Sequence, residues 1–127
     1  MNQDANCTDK DLLRSRWALC LLWIGPWVLI IATSNTSNFI HTVIWTFAFA
    51  VGGVACLVNA RRCGRLHCFY TGPLYLLAAL TSLLYGLGLL PLGLHGWNWI
   101  VGVAGVLSLF ACCGLEQLFG KYRKTVT

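Results

Sequence analysis

Two cysteines and a histidine fall within six residues of the segment Asn59 to Pro73 (NARRCGRLHCFYTGP): Cys63, His67 and Cys68. A C-x4-C spacing with an imidazole beside the second thiol can set three soft donors around one ion, and thiolate with imidazole suits Zn(II), Cu(I) or Hg(II). The spacing is neither the C-x2-C of a zinc knuckle nor the C-x-x-C of a redox pair. A plainer reading of the same residues is a basic loop that orients the chain, with incidental cysteines. A second thiol-rich position is the adjacent pair Cys112-Cys113. Neighbouring cysteines rarely close a relaxed disulfide with each other, but both can give sulfur to a linear or trigonal soft ion. Cys56 lies at a similar depth, and Cys20 sits near the start of the first apolar run. Cysteine is also a common small apolar filler in helices, which is the plainer reading of each.

Glu116 stands one helical turn after Cys112, and every other acidic residue lies at or before Asp11. It could act as a hard ligand, as a proton acceptor, or as an ion-pair mate of Arg61 or Lys121. His41 and His95 map to the opposite end of the chain's apolar segments, where they could admit an incoming cation. With Trp45, Trp97 and Trp99 close by, they equally fit an interfacial aromatic belt. No Ser-His-Asp set, phosphate-binding glycine loop or paired carboxylates occur, so hydrolase and ATPase chemistry has no visible machinery.

The elements that must position these groups are apolar. Of the 127 residues, 57% are hydrophobic and 10% charged, with a mean hydropathy of +0.69, whereas a soluble domain carries roughly 25% charged residues. Four runs predict membrane spans at 17–33, 39–58, 74–90 and 99–119, with 59–73 as a connecting loop and one integral domain over 1–127. Gly25-Pro26 predicts a kink in the first run, because proline removes a backbone donor. The start has no basic n-region and no convincing cleavage site, which favours a retained signal anchor. Backbone polar groups in lipid must be satisfied within the segment, and no apolar-polar alternation suggests a membrane barrel, so the spans are expected to be helical. The expected fold is all-α: a four-helix transmembrane bundle running up-down-up-down.

Charge assigns the sides. Arg14 and Arg16 precede the first run, Arg61, Arg62 and Arg65 lie between the second and third, and Lys121, Arg123 and Lys124 follow the fourth. The other two connections carry no charged residue. The positive-inside rule then places both termini and the 59–73 segment in the cytosol. That puts all seven cysteines, Cys7 included, on the side where thiols stay reduced. The +5 net charge is spent on these clusters, which speaks for lipid headgroups and against nucleic acid. Candidate inward faces are His41, Trp45, Gly52, Cys56 and Asn59 in the second span, and Tyr75, Ala78, Ala79, Ser82, Tyr85 and Gly86 in the third. In the fourth they are Gly102, Gly105, Ser108, Cys112 and Glu116.

The stretch RCGRLHC-FYTGP, Arg62 to Pro73, resembles a motif of small hydrophobic bacterial membrane proteins without an assigned activity; the likeness covers that stretch and the start of the third span. In general plan the chain is similar to bacterial mercury-resistance membrane transporters, small helix bundles whose cysteine pairs relay Hg(II) inward. Those carry a cysteine pair in the first span, where this chain has Cys20 alone and places its adjacent pair in the fourth. The resemblance implies a multi-pass protein of the bacterial inner membrane. The leading expectation is therefore handling of a soft metal ion (Hg, Cu or Zn), as a transporter or resistance accessory. Cys56, Cys63, His67, Cys68, Cys112 and Cys113 would be its ligands, and His41 and His95 would stand at the external mouth. Two alternatives remain: a non-catalytic subunit of a larger membrane complex or homo-oligomer, and a membrane thiol-disulfide oxidoreductase.

Overall fold

The computed structural model describes residues 14–120. Cys7 and the cluster Lys121, Arg123 and Lys124 lie outside the described residues, and with them the placement of both termini. The described chain is helical, in four helices: α1 (Arg16–Ala32), α2 (Asn38–Cys63), α3 (Leu66–Gly86) and α4 (Gly96–Phe119). The last three are long and apolar enough to cross a membrane; α1 is a shorter apolar helix.

The segment 59–73 is not a loop. Residues up to Cys63 continue α2, and α3 begins at Leu66, so the break is confined to Gly64 and Arg65. Gly64 adopts φ 61°, ψ 27° and its N–H bonds to Ala60 O at 2.7 Å, a left-handed cap that a side chain would strain. Pro73, expected to precede the third helix, lies inside it. It is exposed there, so the missing backbone donor faces outward and the helix runs on. At the far end α3 stops at Gly86, and the turn to α4 uses Gly88 and Gly93 at positive φ.

Two helices are locally widened. α1 takes a π-helical turn at Cys20–Ile24, directly before Gly25-Pro26. A second π-helical turn, Phe110–Leu115, contains Cys112-Cys113 and ends at Glu116. Such bulges re-aim side chains and recur at functional sites.

The α2–α3 pair is the frame of the molecule. Thr42 lies against Gly86 at one end, Gly53 against Gly72 in the middle, and Cys56 against Cys68 at the other end. The five α2 residues and the first four α3 residues expected to face inward are all buried. Trp45, Phe49, Tyr75, Ala78 and Ala79 form the main core with Ile30 of α1 and Ile100 and Ala104 of α4. Trp27 sits edge-on to Phe49 and Tyr75, and its Nε1–H donates to Tyr75 Oη at 3.1 Å. Around this core the outer faces expose Leu21, Phe47, Leu77, Val106 and other large apolar side chains, a surface that water would penalise and lipid would not. Buried share falls from 50% in α2 to 39% in α3 and 17% in α4. Gly102, expected to face inward, is instead exposed, with nothing within 4 Å of where a Cβ would stand.

Candidate functional site

The short Gly64-Arg65 break places Cys68 in the first turn of α3, facing back onto the last turns of α2. There it meets Cys56: Cys56, Ala60 and Cys68 pack as one buried cluster covered by Trp23 of α1. Both cysteines have no solvent exposure. Asn59, equally buried, donates from Nδ2 to Cys68 Sγ at 3.7 Å. Cys63 is buried at the last residue of α2. To the C-x4-C thiols the structure adds Cys56, set against Cys68 as a thiol pair between two helices.

His67 adds an imidazole. Its Nε2 is 3.3 Å from Cys68 Sγ, and its Nδ1 contacts Glu116 Oε1 of α4. The same carboxylate oxygen accepts from Arg65 Nε at 3.2 Å. Of the readings given to Glu116, a hard ligand, a proton acceptor or an ion-pair mate of Arg61 or Lys121, the ion pair is present with other partners: the carboxylate bridges Arg65 and His67, while Arg61 is exposed and Lys121 lies outside the described residues. The π-helical turn ahead of Glu116 sets this register. An Nδ1–H donated to a carboxylate leaves Nε2 with its lone pair toward the thiol, so His67 is placed to accept the Cys68 S–H. Asn59 then offers a donor to the sulfur that remains. The line Glu116–His67–Cys68–Cys56 couples a carboxylate on α4 to a sealed thiol pair between α2 and α3.

A cavity of about 440 Å³ opens beside this line, between α1, α3 and α4. Its wall includes Trp23, Trp27, Arg65, His67, Thr71 and Cys112. Thr71 is 3% exposed and its Oγ1 has no hydrogen-bond partner, which costs free energy unless a water or ligand supplies one. Cys112 is exposed along this wall; Cys113 and Cys20 are exposed as well. Among the described residues no group of three or more His, Cys, Asp or Glu side chains is arranged to hold a metal ion. What converges is a two-thiol set with an imidazole at its edge, a donor number that a linear soft cation can use.

The other end of the bundle is aromatic. His41 is buried, stacked on Trp97 at 5.1 Å and edge-on to Trp45 at 4.9 Å. Asn38 ties three helix ends together there, donating to Gly86 O at 3.2 Å and accepting from Trp97 Nε1 at 3.1 Å. His95 is exposed in the 87–95 turn and does not appear among His41's ring contacts.

Sequence reasoning singled out Cys56, Cys63, Cys68, His67, Cys112, Cys113 and Glu116, and did not pair Cys56 with Cys68 or give Asn59 and Thr71 a role in the site. The Asn59 signal was available: a carboxamide three residues after Cys56 on the inward face of an apolar helix needs a buried partner. No protein-family profile matches the chain, and no curated protein or solved structure was found to be similar to it. Over the described residues, fold and site together define a helical protein with three helices long and apolar enough to span a membrane and a buried thiol pair at one end.

Proposed function

We propose that this is a multi-pass membrane protein that handles a soft metal ion (Hg, Cu or Zn), as a transporter or resistance accessory, with Cys56 and Cys68 as the principal ligands. The observation that carries the reading is the pairing of two fully buried thiols on different helices, beside an imidazole whose other nitrogen is held by Glu116. Linear thiolate coordination favours Cu(I) and Hg(II) over Zn(II), which asks for a closed four-donor shell. His67 and Asn59 would orient and stabilise the sulfur from outside the metal–sulfur bonds, and Cys112 would be a further station on the way out. The test is a titration of the reduced, detergent-purified chain with Hg(II), Cu(I) and Zn(II), beside a variant with serine at Cys56, Cys63, Cys68, Cys112 and Cys113. Tight binding of the first two ions that the variant loses is the expected result; equal, weak binding in both would reject the reading.

The bundle is read as up-down-up-down with both termini in the cytosol of a plasma (inner) membrane. The end-to-end contacts of α2 with α3, and of Arg65, just before α3, and His67 in α3 with Glu116 in α4, support the alternation. All described arginines, Arg14, Arg16, Arg61, Arg62 and Arg65, flank helix ends joined to the thiol end of the molecule, which supports its cytosolic placement. In a cysteine-free background, a membrane-impermeant maleimide is expected to label Leu94→Cys in intact cells and Gln117→Cys only after lysis. The reverse pattern would invert the orientation.

A second reading, as a subunit of a larger complex or a homo-oligomer, is favoured by α4, which is only 17% buried and leaves Gly102 uncovered. Stoichiometric partners retained in mild detergent would support it.

A further inference from the structure

The cavity between α1, α3 and α4 carries three features that the metal ligands alone do not explain. Thr71 Oγ1 is buried there without a partner. Cys112 presents a thiol in the wall, one helical turn from Glu116 and in the same cavity as His67, whose Nε2 is 3.3 Å from Cys68 Sγ. The surrounding end of the bundle is strongly basic: among the described residues it holds Arg14, Arg16, Arg61, Arg62 and Arg65 against Glu116 as the only acid. Its volume of about 440 Å³ falls within the range of small-molecule sites, roughly 300–1,000 Å³.

A soft cation clasped by two buried thiolates leaves slowly by simple dissociation and readily by exchange with another thiolate. An exchange partner must reach the ion, satisfy polar groups along its route and match the local charge. We infer that the cavity receives a small anionic thiol, a cysteine-containing peptide with free carboxylates such as glutathione, which takes the ion from the protein. The inference rests on the soft-metal reading of the Cys56–Cys68 pair. The ion exchanges Cys68 for Cys112, then Cys112 for the incoming sulfur, and last Cys56 for the sulfur of a second molecule of the same thiol, which frees it from the protein. In each step one metal–sulfur bond forms as another breaks. The entering thiol gives its proton to water, the departing thiolate takes one back, and no electron changes hands. The arginines draw the carboxylates by their field. Thr71 supplies a hydrogen bond to the ligand's polar backbone, and the Trp23 and Trp27 rings wall off its apolar side.

S-methylglutathione, which cannot exchange, tests the cavity in the metal-free, full-length protein through tryptophan fluorescence and calorimetry. Saturable binding with a Kd of about 1 mM is expected. Leu109→Trp, which fills the cavity from an exposed position on α4, should weaken it at least about tenfold. With Hg(II)-loaded protein, transfer to glutathione should saturate with thiol concentration, while transfer to neutral 2-mercaptoethanol should rise linearly. Absence of S-methylglutathione binding, or equal binding in Leu109→Trp, would overturn the assignment and leave the cavity to water. Binding of S-methylglutathione in a protein that fails the metal titration would reject the metal reading while leaving the cavity's ligand class standing.

Discussion

Serine at Cys68 is expected to weaken Hg(II) or Cu(I) binding by about a hundredfold or more, since loss of an outer-shell partner alone typically costs 10–100-fold in metal affinity. The replacement keeps the shape of the side chain and exchanges a soft donor for a hard one, so a two-thiolate site becomes a one-thiolate site. Cys56→Ser should fall as far, because both sulfurs are sealed in the same cluster. Cys112→Ser should lower affinity by about tenfold at most and mainly slow the release of the ion, because its thiol is exposed on the cavity wall and outside that cluster. Cys20→Ser and Cys113→Ser, both exposed, should bind as the unaltered chain does. Competition against a chromophoric chelator measures the series, with circular dichroism confirming that each variant remains helical. A flat series would sink the thiol-pair site and demote the cysteines to packing.

The ranking differs from the one the sequence suggested, and the reason is local. The Arg62–Pro73 stretch has the composition of a loop, with glycines at 64 and 72, arginines and a proline. Yet Gly64 alone takes a left-handed conformation, and one such residue suffices to turn α2 into α3. In a membrane, helix continuation satisfies the backbone at no cost in exposed polar groups, so the helices extend to the turn from both sides. That shortening puts Cys68 in the first turn of a helix, on a face opposite Cys56. The inward stripes of α2 and α3 were legible because small and polar residues recur there at helical spacing. The stripe of α4 was less so, since a π-helical turn inside it changes the register between Gly102 and Glu116, and no residue pattern announces such a turn. Which basic group Glu116 meets depends on that register, and on the arrival of α3's first turn beside α4's last.

Adding a single methyl group at Gly53 should disturb the site without touching a ligand. A Cβ there would lie 3.0 Å from Gly72 O, a backbone atom that no rotamer can move, and 2.9 Å from Leu76 Cγ. Gly53 is one turn before Cys56 and Gly72 one turn after Cys68, so this glycine contact sets the helix separation across which the two thiols meet. Gly53→Ala is expected to cost about 1–3 kcal/mol, the usual range for overpacking, read as a lower unfolding midpoint in detergent. It should also weaken metal binding, because forcing the backbones apart by a few tenths of an ångström stretches the thiol pair. Gly72→Ala provides the control. Its Cβ would meet Leu57 Cγ and Cδ2 at 2.8 Å, both side-chain atoms, with Gly53 O farther away at 3.3 Å. Leu57→Ala removes those two atoms and should therefore restore much of what Gly72→Ala loses, a coupling that a double-mutant cycle reads directly. The same Leu57→Ala should do nothing for Gly53→Ala, whose obstacles are a carbonyl and Leu76. Rescue of both variants by Leu57→Ala, or unchanged metal affinity in a destabilised Gly53→Ala protein, would show that the glycine contact does not set the spacing of the thiols.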